Sequence, residues 1–134
     1  MSEFRHTFPR EEKIRKKKDR DALFKKGKVC SGSILQLFFL PRGDNLRKAG
    51  FAFSRGVTPA TKRNRLRRLL SEAYRLNKEK VGLGYNLLLK VKKTVSETSM
   101  ARFETEFLTL ARKAGLLRSA RFEPGQRREK EKAG

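Results

Sequence analysis

The segment that decides the reading is residues 62–70, KRNRLRRLL. Five of its first seven residues are cations: Lys62, Arg63, Arg65, Arg67 and Arg68. Thr58-Pro59 stands ahead of it and SEAYRLNKEK follows. Thr58 is a candidate helix cap with Pro59 at the first helical position, where the missing N–H of proline costs nothing. On a wheel of 100° per residue, Leu66, Leu69, Leu70, Ala73 and Leu76 share one arc, with Tyr74 at its edge. Asn64, Arg67, Arg68, Ser71 and Arg75 share the opposite arc. The pattern predicts a helix that lays leucines on a core and turns a basic face outward.

Outward from this helix, residues 33–40, SILQLFFL, are rich in strand formers and close on the turn signal Pro41-Arg42-Gly43-Asp44-Asn45. Residues 48–55, KAGFAFSR, alternate. Ala49, Phe51 and Phe53 point one way; Gly50, Ala52 and Ser54 point the other. These two runs are expected to pair as an antiparallel hairpin, its phenylalanine face on the core and its small-residue face bare enough for another chain to approach. After Gly82 and Gly84, YNLLLKVKK at 85–93 reads as a third strand. A short helix is expected over about 19–26, stopped by Gly27, and a last helix over about 100–114, stopped by Gly115. Phe103, Phe107, Leu110, Ala111 and Ala114 line one side of the latter.

The residues therefore spell αββαβα, with a connection through the basic helix long enough for a parallel crossover. The fold class expected is an α/β (α+β) two-layer sandwich, helices against a small mixed sheet, in one domain over 19–115. Residues 1–18, ending in RKKK, are expected as an unstructured basic arm, and 116–134 as an unstructured polar tail.

Charge narrows the function. The 134 residues hold 35 Lys+Arg against 14 Asp+Glu, a formal net charge of +21. Self-repulsion at that density opposes folding, so a polyanionic partner is implied: nucleic acid first, anionic membrane second. No apolar run approaches the roughly 20 residues that span a bilayer, and no apolar stretch follows the N-terminal cations as in a secretory signal. Cys30 is the one cysteine and His6 the one histidine. That excludes an internal disulfide, fits a reducing, cytoplasmic setting, and makes a poor zinc site or catalytic dyad. No acidic residue lies between Asp44 and Glu72. A merely solvated helix face normally alternates in sign, so this one favours phosphate binding, and arginine suits bidentate contact. Asn64 is either a solvated polar residue or a ligand to RNA or to a hydrated metal ion. Phe38 and Phe39 face opposite sides of their strand. One belongs to the core; the other, with Phe24, is either core under a helix or a stacking platform for a base.

RNRLRRLLSEAYR, preceded by FSRGVTPATK, resembles the signature of the bacterial ribonuclease P protein subunit. LFKKGKVCSGSILQLFF and LNKEKVGLGYNLLLKV fit the same family in the same order, so the resemblance covers about residues 13–115. It implies an αβββαβα sandwich with a left-handed parallel crossover through the RNR helix. It also implies a holoenzyme that hydrolytically removes the 5′ leader of precursor tRNA. In that reading the RNA subunit is the catalyst, using bound Mg²⁺, and the protein carries no catalytic residue. The expected partners are ribonuclease P RNA, at one protein per RNA, and precursor tRNA, with no membrane.

Carried over residue by residue, Arg63, Asn64 and Arg65 match the RNR triplet, and Arg67 and Arg68 the basic pair after it. The resemblance assigns Lys62, Arg63, Asn64, Arg65, Arg68 and Arg75 to the catalytic RNA. It assigns Phe24, Gln36, Phe38, Ala52, Ser54, Arg55, Asn64, Arg67 and Ser71 to a cleft for the leader, with Asn64 a candidate ligand to an RNA-bound Mg²⁺. Arg20, Ser33, Gly56 and Ser71 depart from the residues common in the family at those places. Two rivals belong to other classes. A ribosomal or other structural RNA-binding protein would share the charge but not the RNR context. A nuclease acting without RNA would need positioned acids or histidines.

Overall fold

Alternate side chains of strand β2 (Leu35–Pro41) go to two different cores, and that alternation organises the molecule. A computed structural model of the protein describes residues 8–95 and 98–117. After a 3-10 turn at Arg10–Glu12 come α1 (Lys17–Lys26), β1 (Lys28–Ser31), β2, β3 (Arg47–Phe53), α2 (Ala60–Asn77), a 3-10 turn at Lys78–Lys80, β4 (Tyr85–Val91) and α3 (Met100–Lys113). This is the αβββαβα order. The short β1, KVCS, is exposed or half-buried throughout and has no alternation to reveal it in sequence.

The sheet order is β1-β2-β4-β3. β2 is antiparallel to both β1 and β4, while β3 and β4 run parallel on either side of the α2 crossover. The expected hairpin between 33–40 and 48–55 is therefore corrected: β4 lies between them. The physical reason is in β4 itself. Leu87, Leu88 and Leu89 are all essentially inaccessible, so this strand is covered on both faces and belongs at the centre. β3, with its small residues, takes the edge.

One face of the sheet presents Leu35, Leu37, Ala49, Leu87, Leu89 and Val91 to the larger core. Against it lie Leu66, Leu70, Ala73 and Tyr74 of α2 and Phe103, Phe107, Leu110 and Ala111 of α3. Each leucine, valine or phenylalanine among them contributes about 1.5–3 kcal/mol by leaving water. The other face holds a smaller core, where Leu23 of α1 meets Leu88 and Ile14, with Phe38, Leu40 and Ala52 packed around them.

The α2 wheel is observed, with Leu69 and Leu76 half-buried at the margin of its apolar arc. Its start differs from expectation. Pro59 stands at the cap itself, after a cis Thr58-Pro59 bond, and the N–H groups of Lys62 and Arg63 donate to its carbonyl at 3.0 and 3.1 Å. Thr58 is thus one residue too early to cap. At α3 the Ser99 hydroxyl accepts from the Arg102 N–H at 3.2 Å, and Gly115, at φ 77°, ends the helix as expected.

The expected unstructured arm is corrected for residues 8–16, which form a packed strap along β3. The Ile14 N–H donates to the Ala49 carbonyl at 2.9 Å and Ile14 is buried. The Phe8 ring lies 5.1 Å from Tyr74 and 5.8 Å from Phe51. Lys78 Nζ, almost wholly buried, donates to Glu12 Oε1 at 2.6 Å. Two apolar residues and one acid suffice to anchor a run whose composition is dominated by charge. The rest of the arm, 1–7, and of the tail, 118–134, lies outside the described residues. Leu116 is buried and Leu117 bridges Val81, so the first two tail residues belong to the domain.

Candidate nucleic-acid interface

Strand register sets the composition of the face under α1. Partners across the sheet give one row of Val29, Phe38, Leu88 and Gly50, and the next row of Ser31, Gln36, Lys90 and Ala52. α1 covers the middle of the first row through Leu23. In the second row Ser31 is exposed and Gln36, Ala52 and Lys90 are half-buried. Phe24, on the last turn of α1, is 39% exposed and meets half-buried Phe38 edge to face, centroids 4.9 Å apart. Lys90 Nζ sits 5.6 Å from the Phe24 ring centre. Gln36 donates to the Ser31 hydroxyl at 3.2 Å. Phe24, Gln36, Phe38 and Ala52 are thus brought together as expected. Gly50 is not bare floor: a Cβ there would come within 3.3 Å of both Ile14 and Leu88.

Lys90 was missed in sequence. Its signal was available, since Asn86, Leu88 and Lys90 alternate in one strand and a lysine at a central-strand position needs an anionic or open neighbour. Arg42, at the far end of the same face, has its charge compensated. It forms a two-pronged pair with Asp44 at 2.8 and 2.9 Å and donates to Asn86 at 2.9 Å. That pairing, with the Leu46 N–H, pulls the Asp44 carboxyl down to about 2.

The N-terminal half of α2 forms a second surface. Asn64, Arg65, Arg67 and Arg68 are exposed, and Lys62 and Arg63 are half-buried. Arg63 donates to the Val57 carbonyl at 3.0 Å, which ties the helix start to the loop after β3. Arg67 stacks over Phe53 at 5.0 Å. Ser54 and Arg55 follow β3 in the loop to α2, Ser54 through an N–H bond to Val91 at 2.9 Å. Arg75 differs from the other cations of this face because it is ion-paired with Glu72 on the same helix. Arg67 and Ser71 do not join the aromatic row. They line a depression around the β3 edge, with Arg20, Lys13 and Gly50.

The other departures have structural uses. Ser33 donates to Glu106 Oε1 at 3.2 Å and accepts from Arg102 at 3.0 Å, while Glu106 Oε2 takes the Ile34 and Leu35 N–H groups at the start of β2. Gly56 lies against Lys93, where a Cβ would be 3.0 Å from the lysine's own. Among the described residues no group of three or more His, Cys, Asp or Glu gathers to hold a metal, and no helix is long and apolar enough to cross a membrane.

An acid-free arginine surface beside an aromatic sheet face defines a small α/β RNA-binding domain. The family model described as "Ribonuclease P" matches residues 8–115. The chain is 35% identical over 108 residues to the "Ribonuclease P protein component" of Alkaliphilus oremlandii, covering 81% of this chain and 95% of that protein. It is 34% identical over 106 residues to that of Pelotomaculum thermopropionicum, covering 79% and 95%. In fold it is similar to the RNase P protein of Staphylococcus aureus, with TM-score 0.71, 15% identity, and 80% and 98% of the two chains covered. For the RNase P protein from Thermotoga maritima the TM-score is 0.69 at 24% identity, with 76% and 96% covered. The chain belongs to the ribonuclease P protein family. Its role is that of the protein component of a tRNA-processing endoribonuclease, in partnership with ribonuclease P RNA.

Proposed function

We propose that the second row of the sheet face, Gln36, Ala52 and Lys90, with the adjoining Phe24–Phe38 pair, receives the single-stranded 5′ leader of precursor tRNA. The exposed α2 face, with Asn64, Arg65 and Arg68, together with Lys62 and Arg63, then binds ribonuclease P RNA. The observation that carries this reading is the Phe24–Phe38 pair with Lys90 beside it: an aromatic platform next to a cation is what successive bases and phosphates of an unpaired strand require. Arg67 and Ser71 on α2, with Ser54 and Arg55 in the loop before it, complete the leader set, so that one helix serves both RNAs. Arg75 is the weakest member of the set, since Glu72 already compensates it.

Catalysis in this reading belongs to the RNA subunit, with Mg²⁺ supplying an activated water and charge neutralisation. The protein offers that ion only the amide of exposed Asn64, a single neutral oxygen, which suits a ligand supplementing RNA phosphates rather than a protein site. The chain's own contribution is to bind, align and lessen repulsion between two polyanions. One protein per RNA and a cytoplasmic setting complete the proposal.

Reconstitution tests it. Protein alone should leave precursor tRNA intact. Protein plus ribonuclease P RNA should cleave it at Mg²⁺ levels where the RNA alone is inactive. A protein that shifts the Mg²⁺ requirement nowhere, or that co-purifies with ribosomal RNA, would overturn the reading in favour of a structural RNA-binding protein.

A further inference from the structure

We propose that the groove between Leu46, Leu83 and Glu11, at the end of the sheet remote from the arginine face, docks a basic segment of a partner protein, one that presents a bulky apolar side chain flanked by lysine or arginine. The groove lies outside both proposed RNA surfaces. It holds about 300 Å³ and is lined by Glu11, Glu12, Asn45, Leu46, Arg47 and Leu83. That is the small end of the roughly 300–1,000 Å³ of ligand sites, room for one large side chain.

Four large apolar side chains are exposed among the described residues. Phe24 and Val29 belong to the sheet face under α1. Leu46 and Leu83, 55% and 42% exposed, both line the groove. Their backbones are fixed. The Gly84 N–H donates to the Leu46 carbonyl at 2.7 Å, and Arg47 Nη1 donates to the Val81 carbonyl at 2.8 Å. The third wall is the 3-10 turn at Arg10–Glu12, held by Glu12 on Lys78. Two leucines are thus kept in water on a rigid frame, and a partner's apolar side chain would take them out of it. Charge selects that partner. The one cation of the lining, Arg47, is buried and faces Glu79 at 3.9 Å. Glu11 is exposed and, among the described residues, in no ion pair; Glu12 is partly exposed beside Lys78. The rim is therefore acidic on a chain of net charge +21, whose overall field repels other cations. A basic segment finds complementary charge there, and the rim sets its orientation. RNA phosphates are disfavoured by the same carboxylates. The groove lies beyond the C-terminal end of α2, and this helix of 18 residues, about 27 Å long, carries its RNA-facing arginines in its first half. The groove thus stays open while RNA occupies the arginine face.

The test selects random displayed decapeptides against the immobilised full chain, free of RNA. A strongly basic surface by itself enriches acidic peptides. The groove should add a second class, with leucine, phenylalanine or methionine flanked by lysine or arginine. The most enriched basic decapeptide, labelled with fluorescein, is then titrated with the full chain and its variants. Leu46→Ser and Leu83→Ser should each weaken it roughly fivefold, since about half a leucine no longer leaves water on binding. Glu11→Gln should weaken it roughly two- to threefold at low salt and not at about 1 M KCl, where a surface charge is screened. Melting temperatures should move little, because all three side chains are exposed. With ribonuclease P RNA, the double leucine variant should support cleavage of precursor tRNA as the parent does. Enrichment of acidic peptides only, or a basic peptide whose affinity ignores both leucines, would overturn the docking groove. So would loss of cleavage in the double variant, which would make this face an RNA contact. A parent dimeric by sedimentation, with the double leucine variant monomeric, would give the groove to a second copy of the chain. Much tighter peptide binding by a chain ended after Leu117 would give it to the chain's own C-terminal residues. Either result would overturn a separate partner.

Discussion

Phe24 on α1 and Phe38 on β2 meet edge to face at 4.9 Å and 76°, and they do so with unequal burial. Phe38 is half-buried against Leu23, Leu88 and Ile14, whereas Phe24 is exposed. The two substitutions to alanine should therefore separate function from stability. Phe24→Ala should cost precursor tRNA roughly 5- to 150-fold in holoenzyme affinity, the worth of about 1–3 kcal/mol for a stacked base. Mature tRNA, without a leader, should lose nothing, and the free protein should melt as before. Phe38→Ala should lose the same preference and also about 2 kcal/mol of folding stability, below the 3–5 typical of a wholly buried ring. Precursor preference intact in Phe24→Ala would place the leader elsewhere.

On α2, the contrast lies between compensated and uncompensated arginines. Arg65→Ala and Arg68→Ala should weaken binding to ribonuclease P RNA and lower the log–log salt slope by about 0.9 each if the contact is to duplex phosphate. Arg75→Ala should lower it less, because Glu72 shares that charge before RNA arrives. The measurement is equilibrium binding at four or more KCl concentrations. Equal slopes for all three variants would show that the Glu72 pair breaks on binding.

How much of this was legible in the sequence depends on the length of the pattern carrying each element. The α2 arcs, the α3 stripe and the alternation of 48–55 span many residues and were read correctly in kind. Pairing was not, because adjacency in the chain suggested a hairpin, whereas the neighbour of β3 is set by burial of Leu87, Leu88 and Leu89 on two faces of β4. The strap was hidden because its order comes from tertiary partners. Phe8 needs Tyr74, and Glu12 needs Lys78, 66 residues away. Of the site, the aromatic residues and Gln36 came from family resemblance. Lys90 came only from the geometry: its alternation with Asn86 and Leu88 could have placed it on that face of the sheet, but nothing local puts it beside the Phe24 ring.

The Glu12–Lys78 pair is the strap's polar anchor, with Lys78 at 2% exposure and the Glu12 side chain at 33%. Removing the acid leaves a buried ammonium without a partner. Glu12→Ala should cost about 3 kcal/mol by urea denaturation. Glu12→Gln combined with Lys78→Met should recover most of it, because the buried charge goes as well. A cost below 1 kcal/mol for Glu12→Ala would mean that the strap is held by Phe8 and Ile14 alone.

Tyr74 is fully buried, and among the described residues its hydroxyl has no hydrogen-bond partner, nor has Nε of neighbouring Arg47. Burial pushes the phenol from its ordinary 10 up to about 12, with the Arg47 guanidinium pulling partway back. The native state thus keeps its proton between pH 10 and 12 while the unfolded chain releases it. Stability from this group is complete below pH 10 and is lost as pH rises toward 12, at up to about 1.4 kcal/mol per pH unit. Tyr74→Phe keeps the ring contacts with Phe8, Phe51 and Phe107 and removes the titration. At pH 7 the variant should be as stable as the parent or better by up to about 1 kcal/mol, since an unsatisfied buried hydroxyl is gone. Above pH 10 its advantage should widen, with lysine titration a background common to both. Urea denaturation at pH 7, 9 and 11 measures this. A variant less stable than the parent by more than about 1 kcal/mol at pH 7 would show that the Tyr74 hydroxyl does bond Arg47 in solution.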